Sequence, residues 1–254
     1  DIFIQQGKEQ EAMSEMEKAL VDFGIADDSL SVALEIRNAV GPVEIPPEKH
    51  KSTTVSLCMI VKNEEKYLAK CLKSAKPIVD EMIVVDTGST DRTKDIATAY
   101  GAKVYDIQWN NDFSEARNFS LSKASGGWIF VLDGDEVVSP LDYALFRNTV
   151  EKKHKNKTAY EIVTRNYINN ANIVGWRPND GKYSEEAATG WKPSVKVRLF
   201  PNDRNIRFEN PVHELVEESL KRYNIPFKSL DVVIHHYGKL DKDKLIEKGK
   251  DYYT

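Results

Sequence analysis

The feature that most constrains the fold of this chain is a regular alternation of two kinds of segment between residues 55 and 132. Short apolar runs rich in Val, Ile and Leu alternate with stretches whose apolar residues follow helical spacing. We predict strands at 55–61, 82–85, 104–107 and 128–132, and helices at 62–75, 91–100 and 113–124. Such alternation is typical of a parallel sheet covered on both faces by helices.

Acidic residues follow two of these strands directly. Asp86 ends the second strand, and Asp133 follows the fourth. In open parallel sheets, ligands bind beyond the carboxyl ends of the strands. We therefore expect Asp86 and Asp133 at one edge of the sheet, and we take that edge as the candidate site.

The turn Asp133-Gly134-Asp135 indicates a cation site. Two carboxylates this close repel each other, and a divalent cation relieves the repulsion. Mg²⁺ or Mn²⁺ is commonly held by one or two carboxylates plus phosphate oxygens. The alternative is an ordinary acidic turn. An EF-hand is excluded because Val138 and Ala144 fall where its loop needs glycine and glutamate.

Composition excludes several classes of protein. The chain has 36 Lys and Arg against 40 Asp and Glu, a net charge of -4, so a nucleic-acid partner is not expected. No run approaches the roughly 18 apolar residues of a transmembrane helix. Cys58 and Cys71 form no metal or redox motif, which fits a reducing compartment. We expect a cytoplasmic location, with the inner face of the membrane as an alternative.

The flanking regions differ from residues 55–132. Residues 1–42 are predicted to form two amphipathic helices, which resemble the last unit of a tetratricopeptide-type array and offer a surface for protein partners. The Pro-rich segment 43–54 is predicted to be a linker. Downstream we predict a long polar loop at 165–193, a strand at 194–200, a helix at 213–223, a strand at 230–236 and the start of a helix within 239–254.

Three segments resemble glycosyltransferase family 2, in the subgroup often fused to tetratricopeptide-like helices. They are residues 57–75, residues 81–97 with VVDTGSTD, and residues 101–136 with NDFSEARNF and LDGDE. The resemblance continues more loosely through RLF at 198–200, PVHE at 211–214 and IHHYG at 234–238. It implies the GT-A fold over residues 55–238, a mixed and mainly parallel sheet flanked by helices. It also implies sugar transfer from a nucleotide-sugar donor.

The same resemblance implies which residues contact the donor. The nucleobase pocket would be lined by Val61, Asn63 and Glu64, and Asp86 would contact the base or the ribose. Further donor contacts would come from Asp112, Arg117 and Asp133. Four of these residues have a simpler alternative: Asn63 and Glu64 suit a helix start, Asp86 suits a turn, and Arg117 suits a surface ion pair. Arg198, on the polar side of its strand, would steady the diphosphate or pair on the surface.

Metal and catalytic roles follow from the same comparison. Asp135 is implied as the direct metal ligand, with Asp133 shared between ribose and metal. The resemblance also implies that His236 completes the site. His235 and His236 are adjacent on a strand and point to opposite faces, so only one of them can face the site. We choose His236 because His-Tyr-Gly is the better match to the family.

Inversion at the sugar needs a base to take the acceptor proton, and the resemblance implies a carboxylate. Glu214 is our candidate, with Glu217 and Glu218 as alternatives; Glu217 can also pair with Lys221 on a helix face. His213 would bind the acceptor or the leaving phosphate.

We therefore expect an inverting, Mg²⁺- or Mn²⁺-dependent transferase of the hexosyltransferase type. Its donor would be a UDP-sugar, and its acceptor a glycan, a lipid-linked glycan or a peptide. Trp176 and Trp191 would contact the acceptor or belong to a lid, the alternative being a disordered insertion. The rival classes are a haloacid-dehalogenase-like phosphatase, which needs its Asp pair after the first strand, and an inactive nucleotide-sugar-binding scaffold.

Overall fold

The computed structural model describes residues 8–47, 49, 51–152 and 157–241. The two predicted N-terminal helices are α1 (Glu9–Asp22) and α2 (Asp27–Val40). The other helices are α3 (Leu68–Ala75), α4 (Thr93–Ala99), α5 (Phe113–Lys123), α6 (Tyr143–Glu151) and α7 (Glu217–Arg222). The predicted C-terminal helix lies almost wholly outside the described residues. No helix in these ranges is long and apolar enough to cross a bilayer.

The strands of the described residues form one sheet. They are β1 (Val55–Val61), β2 (Glu81–Asp86), β3 (Lys103–Asp106), β4 (Trp128–Val131), β5 (Glu136–Val138), β6 (Ala159–Ile168), β7 (Arg177–Pro178), β8 (Gly190–Pro201) and β9 (Phe227–His236). Their order is β3-β2-β1-β4-β8-β6-β9-β5, with β7 paired to β8.

The first four strands confirm the predicted parallel sheet. β1 pairs in parallel with β2 and β4, and β2 with β3. Val61 lies opposite Asp86 in the register, so β1 and β2 end side by side. We call the side at which β1, β2 and β4 end the carboxyl edge. β8 then runs antiparallel to β4, which makes the whole sheet mixed.

The second half of the sheet brings distant residues to the same edge. β6 runs parallel to β9, and the short strand β5 runs antiparallel to it. In this register His236 lies between Glu136 on β5 and Asn166 on β6. The strand β5, which directly follows the Asp-Gly-Asp turn, was not anticipated from the sequence.

The N-terminal helices share a core with the sheet. α1 packs on α3, α2 packs on α4, and apolar residues of both join the cluster that includes β1 and β2. Buried Arg37 donates to Glu17 (2.7 Å) and to the carbonyl of Ala99 (3.0 Å). In the predicted linker, the Val43 N–H donates to the Gly101 carbonyl at 2.8 Å. The helices are therefore joined to the rest of the described chain by packing and by buried polar contacts.

Two predicted helices are shorter than expected. The helix predicted from residue 62 begins only at Leu68, because Asn63 has a left-handed backbone with φ of 52°. The helix predicted from residue 213 begins at Glu217, because His213 also has a positive φ, of 60°. Asn63 and Glu64 therefore do not start a helix, and Glu214 does not either.

The predicted loop at 165–193 is also shorter. β6 continues to Ile168 and β8 starts at Gly190, so the connecting segment is 169–189 with the short strand β7 inside it. Polar residues can lie at the end of β6 and the start of β8 because they have ion-pair and aromatic partners there. The guanidinium of Arg165 lies 4.9 Å from the Tyr183 ring and 4.5 Å from the Trp191 ring, and it pairs with Glu186 at 2.7 Å.

Candidate active site

The first part of the carboxyl edge is formed by the loops that follow β1 and β2. Asn63 accepts the Thr90 N–H at 2.9 Å, and its own N–H donates to the Ser89 hydroxyl at 2.9 Å. Asp86, 1% exposed, accepts the N–H groups of Gly88 and Ser89 through Oδ1. Its Oδ2 is buried and has no partner among the described residues. Asp86 is therefore both a turn residue and an available acceptor.

Glu64 and Val61 support this edge from behind. Val61 is buried, and its carbonyl accepts the Thr87 N–H at 3.0 Å. The buried Glu64 side chain lies against Gly134, where an added Cβ would come within 2.8 Å of the glutamate Cγ. The glycine of the Asp-Gly-Asp turn is therefore required by its contact with the loop after β1.

Arg117 joins two predicted functional carboxylates. It projects from α5, whose N-cap is Asp112, which accepts the Glu115 N–H at 3.0 Å. The Arg117 side chain contacts Asp133 at 2.5 Å through Nη2 and Glu214 at 3.3 Å through Nε. It is 6% exposed, so the alternative of a surface ion pair is wrong. Its Nη1 is buried without a partner in the described part of the chain.

Arg198 forms a second buried ion pair beside Asp133. It contacts Glu136 at 2.6 Å and Asp133 at 3.8 Å, and it is 4% exposed, so it does not pair on the surface. Burial raises the pKa of Glu136 although Arg198 opposes the rise. Burial acts on Asp133 too, but Arg117 and Arg198 hold the pKa of Asp133 well below its usual range. Asp133 is thus an ionised carboxylate between two guanidinium groups.

Glu136 was missed as a site residue in the sequence. It accepts the Asp133 N–H at 2.8 Å, as well as pairing with Arg198. The only signal was its position as the third acidic residue of LDGDE.

The structure places His236 beside Asp135. The His236 Nε2 lies 3.4 Å from Asp135 Oδ1, and Asp135 is 2% exposed. Burial opposes a charge on the ring, but the hydrogen bond to Asp135 raises the pKa of His236. His235 points away, with Nδ1 2.7 Å from the Tyr167 hydroxyl. Burial lowers the pKa of His235 to about 4, so it is neutral at pH 7.

The donor set at Asp135 is small. Within the described ranges, no three His, Cys, Asp or Glu side chains are close enough to hold a metal by themselves. Asp135 and His236 supply an oxygen and a nitrogen, and a Cβ on Gly238 would collide with both groups. Mg²⁺ and Mn²⁺ in phosphate-handling sites take one or two carboxylates and complete their shell with phosphate and water. Asp135 and His236 therefore fit a cation whose remaining ligands are supplied by a diphosphate and by water.

Glu214 lies in a tight hairpin rather than a helix. A bridge between Glu209 and Leu215 closes the hairpin, and Asn210 and His213 have φ of 76° and 60°. Such conformations cost a non-glycine residue energy and occur often at functional sites. The Glu214 side chain faces a small cavity that Arg117 and Arg198 also line.

The other candidate bases have different surroundings. Glu217 also reaches the cavity, but it accepts the Val197 N–H at 3.0 Å. Glu218 pairs with Lys221 at 2.8 Å on the exposed face of α7, so the expected Glu217–Lys221 pair is not formed. His213 is exposed beside Glu214.

The two tryptophans of the predicted lid differ in burial. Trp191 is 7% exposed and stacks under Arg165, so it belongs to the packing that holds segment 169–189. Trp176 is half-buried and lies against Gly190, where an added Cβ would overlap its ring. Trp176 is therefore the better placed of the two to meet a ligand.

The sheet is mixed, and its parallel half ends in acidic turns. The other half brings a histidine and further carboxylates to the same edge. This arrangement is the GT-A class of fold. The chain belongs to glycosyl transferase family 2, whose family model matches residues 56–212. This match confirms the family and the fold class predicted from the sequence.

Relatives extend over most of this chain. A TPR repeat-containing protein of Synechococcus elongatus is 37% identical over 202 residues, covering 77% of this chain and 44% of that protein. The SPbeta prophage-derived glycosyltransferase SunS of Bacillus subtilis is 31% identical over 194 residues, covering 75% and 41%. This chain thus spans less than half the length of both. The crystal structure of S. aureus TarS in complex with UDP-GlcNAc has the same fold, with a TM-score of 0.50, 17% identity, and coverage of 72% of this chain and 58% of that one.

Proposed function

We propose that this chain is the catalytic part of an inverting, metal-dependent glycosyltransferase that moves a sugar from a UDP-sugar to an acceptor hydroxyl. One observation carries the proposal: Arg117 bonds both Asp133 and Glu214, and His236 lies beside Asp135, which belongs to the same turn as Asp133. The site therefore combines a cation-compatible pair, buried cationic donors and a separate carboxylate. Family membership supplies the reaction class, since several relatives are named glycosyltransferases.

Nucleotide recognition is assigned to the loops after β1 and β2. Asp86 Oδ2 accepts a hydrogen bond from the base or ribose, because it is buried and lacks a partner among the described residues. Val61, Asn63 and Glu64 shape the pocket wall, and Asp112 fixes the start of the helix that carries Arg117. TarS, which shares the fold, was solved with UDP-GlcNAc, which makes UDP the first nucleotide to test.

The diphosphate is assigned to the cationic part of the site. Arg117 Nη1 and Arg198 Nε are buried donors without partners in the described chain, and charge-assisted bonds to phosphate satisfy such donors. Asp135 and His236 would hold Mn²⁺ or Mg²⁺, and Asp133 would be shared between the ribose and the metal. When bound, the cation would neutralise the charge that develops on the diphosphate leaving group.

Glu214 is assigned as the base. Its carboxylate takes the acceptor hydroxyl proton while the oxygen bonds to the anomeric carbon and the bond to the diphosphate oxygen breaks. Attack from the face opposite the leaving group inverts the anomeric centre. Arg117 orients Glu214 toward the cavity. Acceptor contact is assigned to exposed His213, the neighbour of Glu214 in the chain, and to half-buried Trp176. The acceptor would be a glycan, a lipid-linked glycan or a peptide, with the cytoplasm as the expected location.

The proposal is tested on the 254-residue chain with UDP-sugars. We expect UDP-sugars to raise the melting temperature of the protein when Mn²⁺ is present. The increase should be much smaller after a chelator removes Mn²⁺, because the diphosphate would bind through the cation. Slow Mn²⁺-stimulated donor hydrolysis should accompany binding, and its complete absence would favour an inactive scaffold.

A variant sharpens that test. Asp135→Ala should abolish the Mn²⁺-dependent shift, whereas Asp106→Ala, at the exposed end of β3, should leave it unchanged. Full activity in Asp135→Ala would refute the proposal. Release of phosphate from small phosphate esters would instead support the phosphatase alternative, which the family match leaves without support.

A further inference from the structure

A second cavity, with a volume of about 290 Å³, is separate from the one that Glu214 faces. It lies where α5 ends, at Lys123, and where the chain leaves β8, at Pro201. Ile129 in its wall is near the start of β4, whereas Asp133 follows the end of that strand. None of the described residues that line this cavity also lines the one at Glu214. We call it the rear cavity.

The base of the rear cavity is apolar. It is formed by Leu121 from α5, Ile129 from β4, Phe200 from β8 and Ile206 from the segment that follows, all members of one hydrophobic cluster. The volume is close to the lower end of the range of about 300–1,000 Å³ that ligand pockets span. Apolar walls favour an apolar group, because a hydrated ion would lose water there without gaining polar partners. The base is therefore suited to a single ring or a short branched chain.

Several polar groups around the rear cavity already have partners. The Ser122 hydroxyl donates to the Phe119 carbonyl at 2.6 Å. The Asn202 amide nitrogen lies 3.2 Å from the Ala124 carbonyl oxygen and 2.8 Å from that of Gly126. These bonds hold the wall of the cavity together, so the Ser122 proton and the Asn202 amide nitrogen do not select a ligand.

Asp203 contributes a carboxylate to the rim of the rear cavity, and the charge of this carboxylate is balanced. It pairs with Lys157 and accepts the Asn205 N–H at 2.9 Å. The hydrogen bond from Lys157, together with that from Asn205, lowers the pKa of Asp203, so the side chain is ionised at neutral pH. Lys157 thereby offsets the negative charge that would otherwise repel an anion.

Arg204 and Arg207 give the rim an excess of positive charge. Both are exposed, and neither guanidinium forms an ion pair with a described residue. The charges of Asp203 and Lys157 cancel, so the two arginines decide the sign. Guanidinium groups pair with carboxylate and phosphate oxygens, often through two parallel hydrogen bonds. The rim therefore favours an anionic group above the apolar base.

We propose that the rear cavity is a second ligand site, which binds a small organic anion. The apolar part of the ligand packs against Phe200 and Ile206, and its carboxylate or phosphate group pairs with Arg204 and Arg207. None of these residues is assigned to the donor, the cation or the base, so this inference does not rest on the proposed function.

The ligand chemistry is tested with four small molecules on the 254-residue chain. Phenyl phosphate and benzoate each join a ring to an anionic group, whereas inorganic phosphate lacks the ring and benzyl alcohol lacks the charge. Titrations followed by ¹⁵N–¹H correlation spectra measure each dissociation constant. We expect phenyl phosphate or benzoate to bind about tenfold more tightly than both controls, because only these probes use the base and the rim together. If either control binds as tightly as the better probe, one part of the cavity contributes nothing and the proposal is wrong.

Variants test the role of the two arginines. Arg204→Ala combined with Arg207→Ala should weaken binding of the better probe by about tenfold, through loss of the charge-assisted bonds. Lys123→Ala is the matched control: it also removes a cation at the end of α5, but the Lys123 Nζ lies 4.7 Å from the centroid of the Phe119 ring and does not line the cavity. Lys123→Ala should therefore bind like the wild type. Equal losses in both proteins would indicate unspecific attraction between charges and overturn the inference.

The same spectra locate the bound probe. Shift changes should concentrate at residues 121–124 and 202–207, which surround the rear cavity. Changes concentrated at Arg117, Arg198 and Glu214 would place the anion in the candidate active site instead and overturn the inference. Failure of both probes to bind the folded chain would also overturn it, with no consequence for the proposed function. Failure of UDP-sugars and Mn²⁺ to bind would refute the proposed function alone. Melting temperatures show that each variant is folded.

Discussion

The two halves of the site are assembled in different ways. Asp86 ends β2, and Asp133 and Asp135 lie in the turn between β4 and β5, so the local chain places all three at the carboxyl edge. Glu214, His236 and Asn166 reach the same edge through a hairpin and through strand register. The positions of the first three side chains are thus determined by residues close to them in the chain. The positions of the second three depend on pairing between segments that are distant in the chain. Of these residues only Glu214 takes part in the proposed reaction without a proposed contact with the donor or its cation, so a change at Glu214 should separate chemistry from donor binding.

The largest effect is expected at Glu214. Glu214→Gln keeps the shape of the side chain but cannot take a proton, so turnover should fall by about 10²- to 10⁴-fold. Donor binding should remain, because Asp86 and Asp135 are untouched. Single-turnover transfer and UDP-sugar titration measure the two effects. Glu218→Gln on the exposed face of α7 is the matched control, and normal turnover in Glu214→Gln would move the base elsewhere.

The next effect concerns the ion pair that ties both halves together. Arg198→Ala leaves buried Glu136 without its partner, which should lower the free energy of unfolding by about 3–5 kcal/mol. Arg222→Ala, which breaks the exposed pair with Glu209, should cost no more than about 1 kcal/mol. Denaturant unfolding of both variants measures the contrast. Similar losses would show that burial of the Arg198 pair contributes little.

A smaller effect is expected at Gly238. A methyl group there overlaps the Asp135 carboxylate and the His236 ring, so one of them must shift. Gly238→Ala should weaken Mn²⁺ binding by about tenfold, the lower end of the losses seen when the support of metal ligands is disturbed. Calorimetric titration with Mn²⁺ and UDP checks this value. Unchanged affinity would mean that the cation does not use this pair.

The smallest effect separates the two tryptophans. Trp176→Ala should raise the KM for an acceptor by about fivefold, the equivalent of one aromatic contact of about 1 kcal/mol. Trp191→Ala removes a buried ring and should instead lower stability by about 3–5 kcal/mol. Acceptor kinetics and thermal melting distinguish the results. If Trp176→Ala leaves acceptor kinetics unchanged, segment 169–189 has no part in acceptor binding through this side chain.

The sequence predicted the parallel strands and the position of Asp86 and Asp133, because each carboxylate immediately follows an apolar run. Choosing His236 over His235 required the family resemblance, and the structure places His236 beside Asp135. The Glu136–Arg198 and Asn166–His236 contacts were not predictable, because the partners are 62 and 70 positions apart in the chain. The helix starts at 62 and 213 were wrong because two positive-φ residues interrupt patterns that look helical.

The continuous core beneath α1 and α2 has a consequence for the orientation of any protein that binds to these helices. Arg37 on α2 bonds the carbonyl of Ala99 at the end of α4, and α4 starts just after the loop that holds Asp86. A partner bound to the outer faces of these helices would therefore keep a fixed orientation relative to the proposed donor site. If that partner carried the acceptor, the rigid packing would fix the direction from which the acceptor approaches the site. Little rotational freedom would then remain to be lost when the acceptor binds.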